Sequence, residues 1–165
     1  MKKTYQYQID GHKLLWHLDR VQEWQGKRVV APVYLEISPT SLCNHRCIFC
    51  GIDFARNEGS QLDTDLLVTR LKEMGGLGVR SIMYAGEGEP FLHKGLVRML
   101  RATKESGIDA AVTTNGSIGG RELWQAALPY LTWIRFSVDA AREESYAKIH
   151  RVAANALSQT TANIS

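Results

Sequence analysis

From Val29 onward, short β-branched and aromatic runs alternate four times with amphipathic helical patterns, and this alternation constrains the fold more than any other feature. The expected strands are Val29 to Ile37, Val79 to Tyr84, Ala110 to Thr114 and Trp133 to Val138. Between them, a helix capped by Asp63 carries Leu66, Leu67, Leu71 and Met74 and stops at Gly75-Gly76. A second runs from Lys94 to Ser106 and a third from Arg121 to Ala127, and a last helix begins at Glu143 and runs toward the end. Short connections between strands of this kind predict parallel pairing, because parallel neighbours need a crossover, and so an α/β fold. In such folds ligands bind past the C-terminal ends of the strands. Four loops then share one rim: the segment after Ile37, Ala85 to Pro90, Asn115-Gly116 and Asp139-Ala140.

Ahead of the alternation, Leu14, Leu15, Trp16, Leu18, Val21 and Trp24 recur at helical spacing from Asp10 to Gln25, with Gly26 as a stop. Residues 1–28 read as an N-terminal helical extension, and residues 29–165 as the domain proper. A net charge of +3 over 165 residues gives no electrostatic case for a nucleic-acid partner. Polar residues follow Lys2 and Lys3 where a secretory signal would place an apolar run, and no run approaches membrane-spanning length. A cytoplasmic protein without membrane contact is expected.

The first rim loop holds every cysteine of the chain, in Cys43-Asn44-His45-Arg46-Cys47-Ile48-Phe49-Cys50. In a reducing compartment three clustered thiols read as metal ligands, and an odd number suits disulfides poorly. A closed structural site uses four protein ligands, whereas a site with three leaves a position for something else. Two readings follow from the residues. One is an iron–sulfur cluster with a free iron. The other is a structural zinc with His45 as fourth ligand, in a non-catalytic metal-binding or interaction module.

The spacing Cys43-x3-Cys47-x2-Cys50, with Phe49 before the last cysteine and a strand before the loop, resembles the signature of the radical S-adenosylmethionine (radical SAM) enzymes. Three further segments resemble that family in the same order: Gly86-Glu87-Gly88-Glu89-Pro90, Thr113-Thr114-Asn115-Gly116 and Ser137-Val138-Asp139. Glu87 departs from the family pattern, where a glycine is commonest. The resemblance implies that Cys43, Cys47 and Cys50 hold a 4Fe-4S cluster whose remaining iron is chelated by S-adenosylmethionine. It places Phe49 near the adenine; Gly88, Glu89 and Pro90 at the methionine ammonium; Thr114 and Asn115 facing the cofactor; and Ser137 and Asp139 at the ribose or carboxylate. The implied reaction is reductive cleavage to a 5′-deoxyadenosyl radical, which abstracts hydrogen from an unidentified substrate, a peptide or a small molecule. The implied electron donor is a reduced flavodoxin or ferredoxin.

By the same resemblance the fold is part of a TIM-like partial barrel, with about four of six βα units legible, and the chain reads as the N-terminal part of that core, cut short. Outside the motifs, His93, Lys94, His150 and Arg151 read as solvated, and Trp16, Trp24, Trp124 and Trp133 as packed. Asp139 has an alternative role as a helix cap.

Overall fold

The computed structural model describes residues 13–26, 29–52 and 59–165. The chain divides into two compact units, Met1–Ala31 and Pro32–Ser165.

In the first unit a 3₁₀ turn, Lys13–Trp16, precedes α1, Leu18–Gln25, with His17 between them. The expected continuous helix is thus broken at His17, and its start at Asp10 lies outside the described residues. Trp16 and Trp24 are exposed rather than packed, as are Leu14, Leu15 and Leu18.

The second unit contains one four-stranded sheet, β1 Tyr34–Ile37, β2 Ser81–Tyr84, β3 Asp109–Thr114 and β4 Trp133–Phe136, all parallel and in sequential order. The register pairs Ile37 with Tyr84, Tyr84 with Val112, and Thr114 with Phe136, so all four strands end at one rim. β1 is shorter than its β-branched run suggests, beginning after Ala31-Pro32, because proline cannot donate to a strand ladder.

The crossovers are α2, Thr64–Gly76; α3, Leu96–Glu105; and α4, Arg121–Ala127. Asp63 caps α2 by accepting from the Leu66 amide at 2.8 Å. Gly75 and Gly76 are the last two residues of α2, which stops there as expected. A Cβ on Gly75 would sit 2.4 Å from the Ser106 carbonyl oxygen, so glycine here admits the C-terminal end of α3. Leu71, Met99 and Leu100 from these helices are fully buried against Ile82, Tyr84, Ala110 and Val112 of the sheet. Each such apolar side chain stabilises the unit by roughly 1.5–3 kcal/mol. On the opposite face the buried group is small: Met83, Ala85 and Ala111.

The last predicted helix is two helices, α5, Glu143–His150, and α6, Ala156–Ile164. Arg151 adopts the left-handed conformation at φ 52° and ends α5. Glu143 then accepts from the Leu157 and Ser158 amides at the start of α6, which ties the two together. Trp124 packs on Phe91 as expected, but Trp133 is partly exposed on edge strand β4.

Candidate metal and cofactor centre

The cysteine loop leaves β1 at the rim and is fastened at its base. Thr40 bridges antiparallel to Gln61, the Ser41 amide donates to the Ser60 carbonyl, and the Leu62 amide donates to the Pro39 carbonyl. Its tip is held by the C-terminal end of α5. A helix leaves its last carbonyls without intrahelical partners, and here two of them accept from the loop: Ile149 from the Ile48 amide at 2.9 Å and His150 from the Arg46 amide at 3.1 Å.

The loop after β2 lies against it. The Glu89 amide donates to the Leu42 carbonyl at 2.8 Å, and a Cβ on Gly88 would fall 2.2 Å from that same oxygen. Glycine at 88 is therefore required by the chain's own cysteine loop. Cys43, Cys47 and Cys50 together with Gly86, Glu87 and Gly88 line one concavity, along with Ser41, His45 and Arg46.

The Glu89 carboxylate is buried and accepts three hydrogen bonds: from Thr114 Oγ1 at 2.7 Å and the Phe91 amide at 3.1 Å on Oε1, and from the Asn115 amide at 2.7 Å on Oε2. Burial raises its pKa, against the lowering effect of these donors. Glu89 thus locks the β2 loop to the end of β3. Pro90 is buried at the start of a 3₁₀ turn that follows. Asn115 extends the network, donating from Nδ2 to Asn44 Oδ1 at 2.8 Å, and Asn44 Nδ2 donates to Ser117 Oγ at 2.7 Å. Asn44 and Ser117 carry no chemistry in the sequence reading, yet they join the cysteine loop to the β3 loop.

Phe49 is 60% exposed, its ring 5.9 Å from that of His150. The Ser137 amide donates to the Thr114 carbonyl beside the end of β4. Asp139 does not cap α5, whose N-cap is Arg142; its Oδ2 lies 3.3 Å from His150 Nε2. Two histidines expected in solvent are buried. His93 bridges the Leu62 carbonyl, 2.9 Å from Nε2, and the Gly95 amide, 3.1 Å from Nδ1. His150 is 1% exposed and places Nδ1 3.1 Å from Cys47 Sγ.

The donor set suits a metal cluster. Burial raises the Cys43 thiol, and burial plus the neighbouring Cys43 and Cys50 pushes Cys47 up to about 11. Gathering three sulfurs without a cation is electrostatically unfavourable, and a bound metal reverses that balance by favouring thiolates. His45 Nδ1 and His150 Nε2, both buried beside this loop, have no hydrogen-bond partner among the described residues. One nitrogen each from His45 and His150 gathers with Cys47 Sγ within 4.8 Å. Burial drives His45 down to about 4 and lowers His150, whose fall Asp139 opposes.

A family model described as the Radical SAM superfamily matches residues 37–164. The chain belongs to the radical SAM superfamily. A GTP 3',8-cyclase of Chlorobaculum tepidum is 34% identical over 120 residues, 72% of this chain and 36% of the relative. An S-adenosylmethionine-dependent nucleotide dehydratase of Lacinutrix mariniflava is 32% identical over 114 residues, 66% of this chain and 24% of the relative. This radical SAM chain therefore spans well under half the length of these curated relatives. In fold it is similar to Streptococcus suis SuiB bound to S-adenosylmethionine, with a TM-score of 0.69 at 18% identity over 89% of this chain and 35% of that one. It is also similar to anSMEcpe with bound AdoMet, with a TM-score of 0.65 at 19% identity over 81% of this chain and 39% of that one. The four parallel strands and their helices are thus part of a radical SAM partial barrel. Membership implies an iron–sulfur cluster and S-adenosylmethionine. Among the described residues no helix is long and apolar enough to cross a membrane.

Proposed function

We propose that residues 29–165 are the N-terminal portion of a radical SAM enzyme core, preceded by a helical extension over residues 1–28, and that Cys43, Cys47 and Cys50 hold a 4Fe-4S cluster. The observation that supports this most is the shared concavity of the three-cysteine loop and the Gly86–Gly88 loop at the strands' C-terminal rim. Such a cluster, once bound, supplies the electron that cleaves S-adenosylmethionine to a 5′-deoxyadenosyl radical.

The chain's own residues would bind and orient. The backbone around Gly88 and Pro90 receives the methionine ammonium, with Glu89 holding that loop in place through Thr114 and Asn115. The exposed ring of Phe49 stacks beside the adenine. Ser137 and Asp139 serve the ribose hydroxyls, and Asn115 keeps the β3 loop against the cysteine loop. A reduced flavodoxin or ferredoxin is the electron donor in this reading. The similarity to a GTP 3',8-cyclase and a nucleotide dehydratase makes a nucleotide the first substrate class to test.

The test is anaerobic reconstitution with iron and sulfide, followed by dithionite and S-adenosylmethionine. A brown protein that forms 5′-deoxyadenosine supports the reading. A colourless protein that holds one zinc through the same cysteines would overturn it.

A further inference from the structure

The exposed apolar residues of α1 have nothing to say what covers them, and the Glu89 network is satisfied within the chain. The buried histidine at the C-terminal end of α5 is different: it touches a sulfur of the cysteine loop and sits between two rim loops. We propose that His150 is a positioning residue for the iron–sulfur centre, donating a hydrogen bond from Nδ1 to the Cys47 sulfur. This rests on the reading of Cys47 as a cluster ligand.

The geometry is specific. Nδ1 stands 3.1 Å from Cys47 Sγ, and Nε2 stands 3.3 Å from Asp139 Oδ2. The ring cannot drift, because its faces and edges meet Tyr146 at 4.2 Å, His45 at 5.3 Å and Phe49 at 5.9 Å between centroids. The backbone of the same residue accepts from the Arg46 amide, so His150 grips the cysteine loop by main chain and side chain together. The left-handed Arg151 that follows turns the chain away and frees that carbonyl for the loop.

A metal-held thiolate carries no hydrogen, so the hydrogen of the Nδ1 contact must come from the ring. Hydrogen bonds to cluster sulfurs stabilise the more negative, reduced state and so raise the reduction potential. His150 would therefore set both the seat of Cys47 and the ease with which the centre accepts an electron.

The test compares the reconstituted full chain with H150F, which keeps an aromatic ring without a donor, and H150N, whose amide nitrogen falls near the position of Nδ1. Midpoint potential is read by redox titration followed by electron paramagnetic resonance. The expected result is equal iron content in all three, a potential shifted negative in H150F and restored in H150N. An H150F cluster with wild-type potential and spectrum would overturn the proposal. The wild-type chain also decides alone, so failure of a variant to fold does not matter. With ¹⁵N-labelled histidine, the reduced cluster should show a hyperfine-coupled histidine nitrogen and an exchangeable proton, and their absence overturns the proposal even if a cluster is present. A wild-type chain that takes up no cluster overturns the underlying reading as well, a distinct outcome.

Discussion

Two buried polar groups share this rim and behave in opposite ways. Around Glu89 every donor has found its acceptor within the chain: Thr114, Asn115 and Phe91 all point at one carboxylate. A few residues away three thiols are crowded, with Cys43 and Cys47 raised in pKa by burial, and His45 Nδ1 and His150 Nε2 are left without hydrogen bonds among the described residues. A satisfied buried network holds structure, whereas an unsatisfied one beside soft ligands marks where a missing group belongs. The contrast separates the frame of the site from its binding face, although both were drawn from the same run of motifs.

The largest effect should come from the unsatisfied side. Cys43→Ser, Cys47→Ser or Cys50→Ser should each abolish cluster loading, read as loss of visible absorbance and iron, with an unchanged circular dichroism spectrum. Unfolding by any of them would place the cysteines in the frame instead.

The metal-free thiols offer a second comparison. With its pKa near 11, Cys47 should alkylate more slowly than exposed Cys50 at pH 8, its rate climbing about tenfold per pH unit toward pH 11. The sign for stability follows. Its folded pKa exceeds the ordinary 9.0, so its contribution is intact below pH 9 and is lost as pH rises through about 11. Chemical denaturation across that window checks it, and a Cys47 that reacts as fast as Cys50 at pH 8 contradicts it.

On the frame side, Glu89→Ala strands three donors and should cost about 3 kcal/mol in urea denaturation. A loss below about 0.5 kcal/mol would show that the carboxylate is not structural. Gly88→Ala forces a Cβ onto the Leu42 carbonyl and should cost about 2 kcal/mol, with weaker cluster retention. The smallest effect belongs to Asn115→Ala, about 1 kcal/mol, since Asn44 can turn to water when its partner is lost.

Much of this was legible in the sequence because it is local or periodic. Strand and helix alternation pointed to the parallel sheet and the common rim, and Asp63 and the helix over Arg121–Ala127 were read correctly. What was missed is long-range. His150 lies 103 residues from Cys47, and nothing in its neighbours announces that α5 ends there to cap a distant loop. His93 was missed for the same reason, its partner carbonyl being 31 residues away. Gly75-Gly76 does end α2, but the reason glycine is needed at 75, the approach of the Ser106 carbonyl, is long-range and was not legible. Arg151 in the left-handed region is rare for its type, so sequence gave no reason to split the last helix.

The most direct measurement is electron paramagnetic resonance of the reduced, reconstituted chain with and without S-adenosylmethionine. A 4Fe-4S signal whose shape changes on adding S-adenosylmethionine, and which is absent from Cys47→Ser, is the expected result. A cluster signal indifferent to S-adenosylmethionine, or a centre occupied by zinc alone, would contradict an open iron held by Cys43, Cys47 and Cys50.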